Sequence, residues 1–131
     1  MRYLFDANAA IALLRDPIGP LAQRARQHRP TDIGLPAIAV YELYFGAIKS
    51  QRRAHNLTVV DSLQFEVVPF DKEDARQAGE IRAALEALGT PIGPYDVLIA
   101  GQACARGLVL VSRNLREFQR VDGLAVENWE G

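Results

Sequence analysis

The sequence predicts an α/β fold in three layers, a central and mostly parallel β-sheet with helices on both faces. Three observations carry this. Short apolar runs such as "RYLF" alternate along the chain with longer helical patterns. The run "GLVLVS", Gly107 to Ser112, is almost entirely apolar rather than alternating, as expected of a central strand covered on both faces. The chain has 131 residues, which suits one domain able to bury a sizeable core, so residues 1–131 are read as a single domain.

Each element has its own signal. "RYLF" is a first strand. Asn8 to Leu14 follows as a helix that must end before Pro17. Pro20 to His28 is a partly exposed helix. "DIGL" is a second strand, closed by Pro36. Ala37 to Ser50 is a strongly apolar helix and Arg52 to Ser62 a more polar one. "FEVVPF" is a third strand. Asp71 caps a long amphipathic helix to Leu88, with Asp74 three residues on in an imperfect capping-box pattern and Gly89 as the stop. "PIGPYD" is a turn whose Pro94 opens the helix Tyr95 to Ala105. After "GLVLVS", Asn114 to Arg120 is a short helix and "LAVEN" a last strand. Parallel sheets of this kind place ligands beyond the carboxyl ends of their strands.

Composition narrows the function classes. Hydrophobic residues are 49% and charged residues 24%, with a net charge of -1. No global positive field would hold a polyanion, so any nucleic-acid contact must be local. No apolar stretch reaches the roughly 18–20 residues of a membrane span, and the N-terminus lacks a signal-peptide pattern. The default location is the cytoplasm. Cys104 is the single cysteine, which excludes an internal disulfide and a cysteine zinc site; its setting reads as a small core residue.

Three acids stand alone in apolar surroundings. "YLFDANAAIALL" contains only Asp6, "LPAIAVYELYFGAI" only Glu42, and "TPIGPYDVLIAGQACA" only Asp96. The Glu42 and Asp96 helices have little polar surface, so both acids are expected to be largely buried. Taken singly, each has a structural reading: Asp6 and Asp96 as helix caps, Glu42 paired with an arginine. Taken together, three converging carboxylates would repel one another unless a cation joined them. A hard divalent ion resolves that conflict and brings phosphate chemistry with it. Pattern alone leaves the two readings open.

The ordered set "YLFDANAAIALL", "AIAVYELYFGAIKS", "GTPIGPYDVLIAGQACARGLVLVSRNLREFQRV" and "GLAVENW" resembles the PIN-domain ribonucleases, most closely the VapC toxins of bacterial type II toxin–antitoxin pairs. The likeness runs from Tyr3 to Trp129, with "P-x-G-P-x-D" and "N-x-R-E-F" in their usual places. It implies a PIN-like sandwich and a Mg²⁺- or Mn²⁺-dependent endoribonuclease. Asp6, Glu42 and Asp96 match the metal-site acids of the family. Where many members carry a fourth acid, this chain has Asn114, with Glu117 one turn later. Asn8 matches an asparagine that holds the first carboxylate, or else is only a helix-start residue. Ser112 matches a hydroxyl position at the site. Ala7 and Ala39 replace hydroxyl residues common in the family, which bears on rate and metal affinity more than on reaction type.

The resemblance also implies an RNA substrate, structured and often tRNA. Arg113, Arg116 and Arg120 flank the fourth motif and are candidates for phosphate contacts, with Asn8 and Ser112 also at the substrate side. Lys49, Arg52 and Arg53 read as a solvated turn. A cognate antitoxin is implied that blocks the acidic pocket, often with an arginine, in a larger complex built on a toxin homodimer that meets operator DNA only through the antitoxin. Tyr41, Tyr44 and Phe45 are expected to line its groove or a dimer contact, or to be ordinary core aromatics. The competing readings are a non-catalytic PIN-fold binding module and another acid-cluster phosphoryl-transfer enzyme. A dehalogenase-type phosphatase needs D-x-D where this chain has Asp6 and Asn8, and a receiver domain needs a Lys after "LVLVS" that is absent.

Overall fold

A computed structural model describes all 131 residues. The strands are β1 (Tyr3–Phe5), β2 (Ile33–Pro36), β3 (Glu66–Val68), β4 (Val109–Val111) and β5 (Val126–Glu127). They form one sheet in the order β3-β2-β1-β4-β5, and every neighbouring pair is parallel. The first strand is thus central. Tyr3 pairs with Ile33 on one side and with Val109 on the other. The helices are α1 (Ala7–Arg15), α2 (Pro20–Ala25), α3 (Ala37–Lys49), α4 (Arg53–Asp61), α5 (Lys72–Ala87), α6 (Pro94–Arg106) and α7 (Leu115–Phe118).

Alternation along the strands sorts the core into two halves. Tyr3, Phe5, Ile33, Leu35 and Val111 face one side, with Ala9, Leu21, Leu43 and Trp129 from the covering elements. Leu4, Val68 and Leu110 face the other, against Leu85, Ile99, Ala103 and Phe118. Burying each large side chain of this kind stabilises the fold by about 1.5–3 kcal/mol relative to leaving it exposed. Cys104 packs half-buried against the second half. No helix is long and apolar enough to cross a membrane.

Several elements are shorter than the sequence predicts. The helix after Pro20 stops at Ala25 rather than His28. The third strand stops at Val68, because Pro69 has no N–H to continue the ladder. The carbonyls of Val68 and Pro69 are taken instead by the buried Gln102 amide, and Pro69 also by Arg106. The Asp71–Asp74 box, imperfect in sequence because Asp replaces Glu, closes in both directions at 3.1 and 2.9 Å. The helix it opens packs closely on α6. A Cβ at Gly101 would lie 2.6 Å from the Ala78 Cα, so only glycine admits this approach. That packing fixes the helix whose first turn carries Asp96.

Candidate active site

The carboxyl ends of the parallel strands open on one edge of the sheet, and the isolated acids gather there. Asp6 follows β1 directly and caps α1, accepting the Ala9 N–H at 2.8 Å. Its residue is only 5% exposed. Burial pushes its pKa up. The Ser112 hydroxyl and the Ala9 N–H pull it back, while Glu130 raises it and Arg113 lowers it. Glu42, in the second turn of α3, is also raised, by burial and then by the charge of Asp6. Asp96 is pushed up to about 7. The causes are burial, then the charges of Glu117, Asp6 and Glu42, and a hydrogen bond with Glu117. These four acids therefore feel one another across one site.

Glu117 behaves in the opposite sense. Burial pulls it up, but the Gly93 N–H, the Asn114 amide and Asp96 together hold it below the usual carboxylate range. Its two oxygens are occupied separately. Oε1 accepts from Gly93 N–H, and Oε2 accepts from Asn114 Nδ2 at 2.6 Å. Gly93 allows the approach: a Cβ there would stand 3.0 Å from Asp96 Oδ2 and 3.5 Å from Glu117 Oε1. Asp96 and Glu117 are thus shifted in opposite directions by each other's presence.

The placement corrects several expectations. Glu42 and Asp96 are half-buried, not largely buried, because α3 and the start of α6 leave apolar residues in solvent. Tyr41, Phe45 and Tyr95 are among the most exposed large side chains. Tyr41 packs edge-on against Tyr95, Phe45 lies under Lys49, and Tyr44 donates to Asp61. None of the three expected aromatics lines the groove beside Glu42, which is walled by smaller residues such as Leu43, Gly46 and Ala47. Asn8 is exposed and makes no hydrogen bond to Asp6; α1 turns its side chain outward, and the Ala9 N–H holds the carboxylate instead. Ser112 is 1% exposed, so it cannot touch a substrate. It accepts the Asn114 N–H at 3.0 Å and supports Asp6 from below.

Asn114 caps α7 and reaches the site through Glu117, so the two belong to one unit. Glu117 forms no ion pair with Arg113 or Arg120; Arg120 donates to the Pro91 carbonyl at 3.0 Å instead. Arg113 and Arg116 are exposed, and Arg113 acts on the charge of Asp6. Two residues escaped the sequence reading. Glu130, next to the C-terminus, comes close enough to Asp6 to act on its charge. Arg15, at the end of α1, lines both clefts that flank the site. Neither lies in the quoted motifs, and neither is a lone charge within an apolar run, the two signals that marked the other site residues.

The donor set suits a hard cation, because Asp6, Glu42, Asp96 and Glu117 offer carboxylate oxygens and their mutual repulsion is uncompensated by any bonded Lys or Arg. The side chains do not already close around one point: no three acidic, His or Cys groups are drawn together tightly enough to hold an ion by themselves. Mg²⁺ tolerates this, since it keeps several waters and needs only one or two direct carboxylates.

Residues 3–124 match the PIN domain family. The tRNA(fMet)-specific endonuclease VapC of Salmonella typhimurium is 37% identical over 98% of each chain. Ribonuclease VapC2 of Haemophilus influenzae is 34% identical over the same share. Among solved structures, DNA-bound VapBC from Salmonella typhimurium superposes with a TM-score of 0.93 at 37% identity, covering 98% of both chains.

Proposed function

The chain belongs to the PIN-domain family and, within it, to the VapC ribonucleases, and from that premise we propose that it is the endoribonuclease toxin of a toxin–antitoxin pair. It cuts phosphodiester bonds in structured RNA, with tRNA as the substrate class. The observation that carries this is the gathering of Asp6, Glu42, Asp96 and Glu117 at the carboxyl edge of the sheet, where burial and then the charges of the other three push Asp96 up. Such repulsion is a cost to the fold unless the site exists to hold positive charge.

Asp6, Asp96 and Glu42 would hold Mg²⁺ or Mn²⁺, with Glu117 beside them. Such an ion, when bound, supplies positive charge against which a phosphate can gather negative charge and water can lose a proton near neutral pH. The protein's part is positioning. Asp6 is locked by the Ala9 N–H and the Ser112 hydroxyl. Asp96 can release its proton near pH 7, which frees both of its oxygens for a cation. Glu42 stands on the half-exposed side, facing an incoming backbone. Arg113 and Arg116 lie at the rim, where phosphate contacts set register.

The partners follow from the same reading. Relatives are solved as VapBC complexes, two of them on DNA. This chain is proposed to bind a cognate antitoxin that covers the acidic edge in the bacterial cytoplasm and carries the DNA contact. A guanidinium from such a partner fits, because it can stand in for the missing positive charge. The exposed face of Tyr41, Phe45, Ile48 and Tyr95 suits a homodimer. The deciding test is cleavage of purified tRNA by the purified chain. Cutting with Mn²⁺ or Mg²⁺ that stops with EDTA supports the proposal. Uncut RNA at confirmed folding and saturating metal would leave a binding module.

A further inference from the structure

Asp96 is the third residue of α6, so its place depends on the loop that leads into that helix. Thr90 to Gly93 belongs to no helix or strand. Pro91 and Pro94 have no N–H to donate, which leaves this loop few ways to bind itself down. Behind it lies a cleft of about 320 Å³, walled by Leu85, Ile92 and Val97 among others, so the loop is open on that side. On the other side it meets the segment Asn114–Arg120, and two hydrogen bonds join them. Gly93 donates its N–H to Glu117 Oε1, and Arg120 Nη1 donates to the Pro91 carbonyl at 3.0 Å. Arg120 follows Glu117 by three residues, and its own N–H bonds the Glu117 carbonyl at 3.2 Å. One short segment therefore grips the loop at two points, once through an acid of the site and once through an exposed arginine. A place beside the fourth motif suits a phosphate contact, but the fold engages this guanidinium on the chain's own backbone.

We infer that Arg120 is a positioning residue for the acid site: by holding the Pro91 carbonyl it fixes the loop against α7 and keeps Asp96 and Glu117 in register for one cation. The inference rests on the proposed metal-dependent ribonuclease and deepens it. Two carboxylates on different elements serve one cation only if those elements are held together, and groups that orient ligands set metal affinity without touching the metal. The Gly93 bond is a weaker tie for this purpose, because a cation beside Glu117 competes for the carboxylate that accepts it. The Arg120 bond engages no acid, so nothing at the site competes with it. Its charge works the other way. Arg120 stands close enough to act on the charge of Glu117, and a positive group beside a cation site repels the cation. Charge alone would thus make Arg120 unfavourable to metal binding, whereas positioning makes it favourable.

That difference in sign is the test. Mn²⁺ binding to the full chain without RNA is followed by the electron paramagnetic resonance of free Mn²⁺, beside cleavage of purified tRNA. If Arg120 is only a nearby charge, Arg120→Ala binds Mn²⁺ more tightly. Positioning requires a Kd raised about threefold to fivefold, less than loss of a directly supporting group costs, because the Gly93 bond remains. Arg120→Lys keeps a charged donor on a long stem and should return most of the affinity. In the Asp96→Asn chain, adding Arg120→Ala should change the Kd less than twofold, because the ligand it positions is gone; a merely structural role weakens both chains alike. At saturating Mn²⁺ the KM for tRNA should stay within about twofold of the parent, since this guanidinium is not assigned to the substrate. A raised KM and a salt slope reduced by about one, at unmoved Mn²⁺ affinity, would identify a phosphate contact and overturn the inference. Mn²⁺ binding by Arg120→Ala equal to or tighter than the parent's would overturn it as well. If the unaltered chain binds Mn²⁺ and cuts RNA while Arg120→Ala matches it in both, only the positioning role fails. If the unaltered chain does neither, the ribonuclease reading fails and the inference falls with it.

Discussion

The molecule contains two clusters of acids, each with a buried carboxylate, and they are built on opposite plans. At the start of α5, Asp74 is 1% exposed, yet Arg106 lies 3.0 Å from it and 3.4 Å from Asp71. Backbone N–H groups complete the capping box, and Asp71 is held below the usual carboxylate range, first by the Asp74 N–H, against some burial, and then by Arg106. At the strand ends, Asp6, Glu42 and Asp96 have no such cation, and all three are raised. The acids are chemically alike. What separates them is whether the fold supplies its own counter-charge. Where it does, the cluster ties α5, α6 and the end of β3 together. Where it does not, the positive charge is left to come from outside.

The contrast breaks if the two clusters answer alike to the loss of one charge. Asp96→Asn keeps shape and removes a ligand charge, so cleavage should fall about a thousandfold or more, the scale of removing one preorganised electrostatic group. The metal-free protein should melt no lower than the parent, because a repelling charge is gone. Asp74→Asn should do the reverse. It leaves Arg106 facing an amide, which should destabilise the fold by about 2 kcal/mol, less than for a fully buried pair because Arg106 is partly exposed. Cleavage rates and thermal melts of both variants decide this. Equal activity in Asp96→Asn and the parent would remove Asp96 from the site.

Acidity sharpens the contrast further. Asp96 has a folded pKa of about 7 against an ordinary 3.8. The folded state therefore holds a proton that the unfolded chain releases between those values. Its contribution to stability is complete below about pH 4 and is lost as pH rises toward 7. Allowing for partial exposure, the fall is on the order of 1–2 kcal/mol. Chemical denaturation of metal-free protein at pH 4.5 and pH 7.5 measures it, with the Asp96→Asn chain lacking most of the slope. Saturating Mn²⁺ should flatten the same slope, because the cation replaces the proton. A slope unchanged by Asp96→Asn would assign the effect elsewhere.

Much of this was legible in the sequence, for physical reasons that also explain the gaps. Short apolar runs marked the strands, and Asp71, Pro94 and Gly89 marked helix ends, because these signals are local. An isolated charge in an apolar run marked Asp6, Glu42 and Asp96, since such a charge has no cheap local explanation. Contacts between distant segments left no such trace. Nothing near Asp74 announces Arg106, 32 residues on. Glu130 sits in a polar tail, and Arg15 ends an ordinary helix, so neither looked unusual until the fold brought them to the site. Burial of Glu42 and Asp96 was overestimated because apolar composition was read as interior, whereas Tyr41, Phe45 and Tyr95 face solvent.

The smallest expected effects concern Glu117 and Asn114, and they test whether the site's one lowered acid belongs to the uncompensated cluster. Taken by their chemistry alone, a charged Glu117 and a neutral Asn114 would have separate roles, charge from the first and water or phosphate positioning from the second. The structure instead places Asn114 Nδ2 on Glu117 Oε2 at 2.6 Å, which makes Asn114 a positioning residue acting through its neighbour. Glu117→Gln should raise the Mn²⁺ concentration for half-maximal cleavage about tenfold, the lower end of what loss of a supporting group costs a metal site. Asn114→Ala should raise it only about threefold, since Gly93 N–H still holds the other oxygen. The rate at saturating Mn²⁺ should change less than twofold in either variant. Because one residue works through the other, the double variant should resemble Glu117→Gln alone rather than the product of both effects. A slower rate at saturating Mn²⁺ with an unmoved midpoint in Asn114→Ala would restore the separate roles. An unmoved midpoint in Glu117→Gln would reduce the site to Asp6, Glu42 and Asp96, and would place Glu117 with the compensated acids, satisfied by its hydrogen bonds and needing no ion.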